Sequence, residues 1–349
     1  MNALWYGILA AMLTTYIVLD GRNFGVGILH LIVARNRPER RQVIAAIGPL
    51  WSWHEVWLVG VGGVMVMAFP RFMASAFSGY YLALFLVLWC ILLRGIAIEV
   101  GGHLDDRLWQ TFWDAVFAGS NLLLATLFGA ALGNVVRGAP LAPDGTFYLP
   151  FFTHFRVSGH VGLLDWYTLS IAAFAVLTLS AHGATYLAMR TEGSVHERAR
   201  AIACRLWWAA VPAFLAITFL TWIVRPEPLA GLATRPWAWV TLLIAVAGGL
   251  ALATGLRTRR EKRALAGSSL LLFGLITTGA ALFYPVMLFS TLNPHDQLTA
   301  GACAAPDDSL RIAAFWWFPA LALAIAYLVI IQRHYSGKVN ASKDNQGLY

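Results

Sequence analysis

Nine stretches of mostly apolar residues punctuate the sequence, at 4–33, 50–69, 78–100, 111–136, 160–189, 201–224, 236–256, 264–289 and 311–332. A hydrocarbon core of about 30 Å is crossed by about 20 such residues in a helix. Backbone N–H and C=O groups find no water in lipid, so each run must satisfy them internally. Barrel strands would leave weaker, alternating segments of about ten residues. The sequence therefore predicts an all-α integral membrane protein, a single transmembrane domain over residues 1–349 with about nine helices. Composition agrees: 59% of the 349 residues are apolar or aromatic and 12% are charged, against about a quarter charged in soluble domains. So little polar surface cannot cover a soluble core. A cytosolic enzyme, a nucleic-acid binder and a disordered chain are excluded.

The formal net charge of +8 is explained by where the charges fall. With nine spans, eighteen of the 25 Lys and Arg lie on one side: Arg35 to Arg41, Arg94, Arg107, Arg190 to Arg205, Arg257 to Arg263, Arg333, Lys338 and Lys343. Six lie on the other (Arg71, Arg137, Arg156, Arg225, Arg235 and Arg311), and Arg22 sits inside the first span. Basic loops stay cytoplasmic, which puts the N-terminus outside and the C-terminus in the cytoplasm. The start has no basic region and no small-residue cleavage site, so the first stretch reads as a retained span and not a signal peptide. Loops 137–159 and 290–310 read as ordered connections, and the tail Ser336 to Tyr349 as loose. Cys90, Cys204 and Cys303 form no CxxC and read as inert. There is no GxxxxGK[ST], no GxGxxG after a strand, no HExxH and no nucleophile elbow.

Ionisable groups inside spans are costly, and each is a candidate functional residue. The first span carries Asp20-Gly21-Arg22-Asn23, then Gly25 and Gly27, which let a second helix approach closely. Asp20 and Arg22 either form an internal pair that fixes packing or serve proton or solvent conduction. The second span opens Trp51-Ser52-Trp53-His54-Glu55-Val56-Trp57. Its His and Glu either exchange protons or sit in an interfacial aromatic belt. Arg94 and Glu99 close the third span and Trp113-Asp114 opens the fourth, near enough to helix ends to snorkel into a structural charge network. A haem would need axial ligands, commonly histidines, facing each other across a bundle. His30, His54, His160 and His182 do not recur at a spacing that would stack two haems, and His54 is the least unfavourable of them.

These residues also form an ordered constellation. Asp20-Gly-Arg-Asn-Phe-Gly-Val-Gly27 is followed by Ile47-Gly-Pro-Leu-Trp51 and Glu55-Val-Trp-Leu58, with Gly62-Gly63 and Ala68-Phe-Pro70. Then come Tyr80-Tyr81, Arg94-Gly-Ile-Ala-Ile-Glu99, Trp113-Asp114, Gly129 and Gly133-Asn134. Over about residues 15–140 this resembles subunit II of cytochrome bd-type quinol oxidases. The rest of the chain is similar only in helix count and hydropathy.

The resemblance implies nine helices, largely in two four-helix bundles plus one, paired with a homologous haem-bearing subunit I in the bacterial cytoplasmic (inner) membrane. It further implies haem b and haem d, or b-type haem alone, in that partner, and small single-helix accessory subunits. Quinol and O2 would be the substrates and water the product, with a structural quinone in this chain in some members. No catalytic residue would lie here. Asp20, Arg22, Asn23, Ser52, His54, Glu55, Arg94, Glu99 and Asp114 would form a proton route or polar network. Three positions depart from the family pattern. Asn23 replaces the second acid of the first-span motif. Ser52-Trp53-His54 stand where Asp-Gly-Asn is usual, and Gly101 stands where an Arg follows the third-span Glu. Such departures would suit a divergent, cyanide-insensitive or bd-like branch. With Ser52 in place of an acid, the route is either rebuilt around Glu55, His54 and Asp20 or runs wholly through subunit I. The alternatives are a secondary transporter or proton-conducting membrane protein, for which no inverted repeat is evident, and a purely structural subunit.

Overall fold

The computed structural model describes residues 1–153, 162–227 and 231–339. Within them the chain is helical apart from one small hairpin, two single-turn 3-10 segments and connecting loops. The helices are α1 (Asn2–Val33), α2 (Arg37–Ile47), α3 (Trp51–Ala68), α4 (Pro70–Gly79), α5 (Tyr81–Val100), α6 (Arg107–Arg137), α7 (Trp166–Arg190), α8 (Gly193–Val224), α9 (Pro236–Arg257), α10 (Glu261–Phe283), α11 (Ala300–Cys303) and α12 (Asp307–His334). Among the described residues eight of them, α1, α5 to α10 and α12, are long and apolar enough to cross a membrane. The ninth expected stretch is α3, whose 18 residues carry Ser52, His54 and Glu55 in the first two turns; those polar residues keep it outside that set.

Boundaries depart from the apolar runs where local chemistry intervenes. Asn36 accepts the Glu39 amide and Pro38 follows in the first turn, so a short amphipathic helix, α2, forms where the sequence reads only as a basic loop. Phe69 leaves helical geometry and Pro70 starts α4, so the connection between the second and third apolar runs is itself a helix. The run 264–289 is not helical throughout. Pro285 follows Tyr284, the cap of α10, and Val286–Leu288 becomes β1, paired antiparallel with β2 (Leu298–Thr299). Asp165 caps α7 through the Tyr167 and Thr168 amides, with Thr168 bonding back to the Asp165 amide. The tail is not loose at its start: the Val339 amide bonds Arg190 O at 2.7 Å and Gln42 Nε2 bonds Val339 O at 2.8 Å. His160, Arg156, Lys343 and residues 340–349 lie outside the described residues.

The helices form two groups that meet at α1 and at a direct contact between α6 and α7. α1 lies against α3 and α6 of one group and against α7 of the other; α6 adds α5, while α7 adds α8 and α10, and α10 pairs closely with α9. α12 stays outside both groups, with Phe315, Trp316 and Leu323 exposed. The α1–α7 crossing is tight because it has no side chains. A Cβ on Gly25 would run into Leu179 O and the Gly183 backbone, and one on Gly183 into Gly25. Small-residue contacts of this kind let backbones approach where lipid supplies no hydrophobic drive. They fix α1 so that its polar middle is enclosed on every side.

Candidate functional site: a buried ion network

Asp20 lies midway along α1 and is wholly buried, as is Arg94 on α5. The two meet fork to fork: Arg94 Nη1 and Nη2 donate to Asp20 Oδ1 and Oδ2, each at 3.0 Å. Arg94 Nη2 also donates a short bond to Glu55 Oε1 on α3. A bidentate guanidinium–carboxylate pair is the arrangement that makes burial of such charges tolerable. The Phe24 ring lies under the guanidinium, 5.0 Å from its carbon, and completes the enclosure.

His54 joins a second set of contacts to the first. Its Nε2 is 2.9 Å from Arg22 Nη2 and its Nδ1 is 2.8 Å from Asn23 Nδ2, which also donates to Asp20 Oδ1 at 2.8 Å. Arg22 further donates through Nε to Leu19 O at 3.1 Å and lies 5.0 Å from the centre of the Tyr186 ring. Two carboxylates and two guanidiniums thus balance in a volume closed by α1, α3, α5 and α7. Only Glu55 is open to the surface, with 22% of its side chain exposed.

The network redraws several expectations. Asp20 does not pair with Arg22, because residues two apart on a helix point in different directions. Arg94 does not snorkel; it is held inside by two acids. Ser52 and Glu99 are exposed and take no part. Asp114 belongs to a separate cluster nearer the basic end of α1: it accepts His30 Nε2 and Arg40 Nη1, each at 2.7 Å. His30 and Arg40 were not among the expected network residues. The signal was present in the sequence, since His30 falls on the helical face of Asp20 and Asn23.

The three buried histidines among the described residues do not suit a haem. His54 has both ring nitrogens in contact, with Arg22 and Asn23. His182 has both engaged, with Ser268 Oγ at 2.8 Å and Val18 O at 3.1 Å. His30 uses Nε2 on Asp114. No group of three or more His, Cys, Asp or Glu among the described residues could hold a metal ion.

A sequence model of cytochrome bd terminal oxidase subunit II matches residues 1–334. The chain belongs to that family. It is 26% identical to the probable cytochrome oxidase subunit 2 of Haemophilus influenzae, over 100% of this chain and 98% of that one. It is 28% identical to the cytochrome bd ubiquinol oxidase subunit 2 of Bacillus subtilis over 89% of each chain. With the cytochrome bd-I ubiquinol oxidase subunit 2 of Escherichia coli K12 it shares 34% identity over 204 residues, 58% of this chain and 52% of the other. The bd oxidase structure of Geobacillus thermodenitrificans contains a chain of the same fold, with a TM-score of 0.73, 18% identity and coverage of 96% and 98%. This cytochrome bd oxidase subunit II is thus a non-haem subunit of a quinol:oxygen oxidoreductase, a multi-pass membrane protein whose complex includes a subunit I. That membership sets the transporter reading aside.

Proposed function

We propose that the chain is the haem-free half of a heterodimer in the bacterial cytoplasmic membrane, and that its buried network delivers protons towards the partner. Haem b and haem d, or b-type haem alone, then sit in subunit I, where quinol is oxidised and O2 reduced to water. The observation that carries this reading is the placement of Glu55. It is 22% exposed on α3, where Val56 and Val59 are also exposed, and α5, which supplies its partner Arg94, exposes Trp89 and Leu93. A carboxylate facing hydrocarbon is costly. A polar group of a neighbouring subunit is the chemistry that would meet it, and the α3–α5 face is then the contact with subunit I.

The contacts around His54 supply a place to hold a proton. Arginine only donates, so Nε2 accepts from Arg22 and a neutral ring carries its proton on Nδ1. Nδ1–H then needs an acceptor, and Asn23 Oδ1, buried without a partner among the described residues, is the nearest group able to supply one by turning its amide. The turned amide also presents its oxygen to Asp20, where a proton on the carboxylate would be accepted. Asn23 orientation, His54 tautomer and the proton on Asp20 are linked in this way. Arg94, bonded to both acids, holds Asp20 and Glu55 close without itself giving up a proton.

A structural quinone fits the apolar cleft between the helix groups, a cavity of about 1320 Å³ bordered by Leu13, Leu58, Phe128, Phe174 and Phe214. Those side chains would hold an isoprenoid tail by contact alone.

Asp20→Asn and Glu55→Gln in the purified complex test the proton reading. Quinol oxidation should slow in both while haem content and partner stoichiometry stay unchanged. Wild-type turnover in both variants would leave the chain a structural subunit.

A further inference from the structure

Three buried polar atoms without partners among the described residues follow one face of α1 and the helix against it: His30 Nδ1, Asn121 Oδ1 and Asn23 Oδ1. Asn121, on α6, is wholly buried and donates to Phe117 O at 2.7 Å. Its carboxamide lies against Gly27, where a Cβ would overlap it. Gly27 is one turn from His30 and one turn from Asn23, roughly 4.5 and 6 Å along the axis. Two polar atoms about 5.5 Å apart are bridged by one water at ordinary hydrogen-bond lengths. A buried polar atom left unbonded costs about 1–3 kcal/mol, and bound water removes that cost. At the far end Asp114, 17% exposed, and Arg40, 31% exposed, open to the Arg-rich face of the chain. At the near end Asn23 touches both His54 and Asp20.

We propose that protons are taken up at the Asp114–His30 pair and reach the Asp20–Glu55 network through water held between His30, Asn121 and Asn23. The proposal rests on the proton-route reading above and specifies where that route begins. It differs from a path along the first turn of α3, where Ser52 is exposed and bonded to nothing in the network. His30 is suited to the intake: Nε2 is fixed on Asp114, Phe117 packs edge-on at 5.3 Å, and Nδ1 is buried with no partner among the described residues. His30 and Asn121 are positioning and relay groups that touch neither quinol nor O2.

The test uses the complete oxidase, with Asn121→Leu, Asn121→Ser and Glu55→Gln compared at equal haem content. Leu matches the shape of Asn and binds no water. Asn121→Leu should lower turnover by about tenfold or more and raise the solvent deuterium isotope effect, with the KM for quinol unchanged. Asn121→Ser, small and polar, should restore turnover to within about twofold. Loss by packing alone would not be rescued by Ser and would not move the isotope effect. Wild-type turnover in Asn121→Leu with a slow Glu55→Gln overturns the intake while leaving the route. Wild-type turnover in Glu55→Gln overturns the route itself. Should Asn121→Leu not assemble, His30→Gln serves: it keeps a hydrogen bond to Asp114 without a titrating ring, the same slowing is expected, and unchanged turnover overturns the proposal.

Discussion

Replacing Arg94 by Leu would remove the only cation among the described residues that bonds either acid of the network. Arg94 makes three charge-assisted hydrogen bonds, two to Asp20 and one to Glu55. Bonds of this class contribute about 1.5–3 kcal/mol each, or roughly 5–9 kcal/mol in all. Burying the guanidinium offsets part of that, so the net worth of the cluster is far smaller. Removing one partner is a different matter, because Asp20 is left wholly buried and unpaired, at a cost of about 3–5 kcal/mol. The double variant Asp20→Asn with Arg94→Leu leaves no buried carboxylate without its cation, since Glu55 reaches the surface and Arg22 keeps its bonds to His54 and Leu19 O, and should recover most of the loss. Cys90 is a built-in reporter: it lies one turn before Arg94 on α5 and is 5% exposed. With Cys204 and Cys303 replaced by Ala, maleimide labelling of Cys90 on heating follows unfolding of the complex. Arg94→Leu should label at markedly lower temperature than wild type, and the double variant should lie between them, nearer wild type. If single and double variants unfold together, or if Arg94→Leu is neutral, the pairing carries no such energy and the reasoning fails.

Two further outcomes follow from packing and charge. Gly25→Val should abolish assembly, read as loss of partner co-purification, because its side chain enters the α7 backbone; Gly62→Ala, whose Cβ meets nothing within 4 Å, should be neutral. At the basic face, burial raises the Glu39 carboxyl, but hydrogen bonds from Arg198, Ser194 and the Arg35 amide outweigh it and lower it from 4.5 to about 2. A depressed carboxyl stabilises the fold above its unfolded value and loses that contribution as pH falls from about 4.5 towards 2. Glu39→Gln should therefore melt below wild type at pH 7, with the difference shrinking under acid; a gap that stays constant with pH would contradict the clamp.

Hydropathy located the spanning helices because a run of 20 apolar residues allows few alternatives in lipid. It did not locate the network's connections, since those are set by tertiary contacts. Arg94 and Asp20 are 74 residues apart in sequence. Six residues from the end of an apolar run, Arg94 reads as a snorkelling residue until α1 supplies an acid opposite it. The pairing of Asp20 with Arg22 could have been refused from the sequence alone, since i and i+2 diverge on a helix. The stripe 16, 20, 23, 27, 30 was equally available: Tyr16, Asp20, Asn23, Gly27 and His30 recur at three- and four-residue steps on one face of α1. What the stripe could not reveal is that α6 answers it with Asn121 at Gly27 and Asp114 at His30.

That correspondence bears on the absent acid at position 52. A carboxylate on the first turn of α3 would approach the network from the α3 side; Ser52 is exposed and cannot stand in for it. The acids that remain are spread over α1, α3 and α6, as Asp20, Glu55 and Asp114. Each is held by an arginine: Arg94 bonds the first two and Arg40 the third. His54, standing where the family pattern has Asn, links Arg22 to Asn23 and so brings α3 into contact with the polar face of α1. Two of the departures, Asn23 and His54, are in direct contact. An acid lost from α3 is matched by a histidine that ties α3 to α1, and an acid lost at position 23 leaves an amide that can turn between His54 and Asp20. A route begun on α3 would need none of these changes, whereas one that runs along α1 and α6 needs a neutral, two-sided relay where Asn23 and His54 stand.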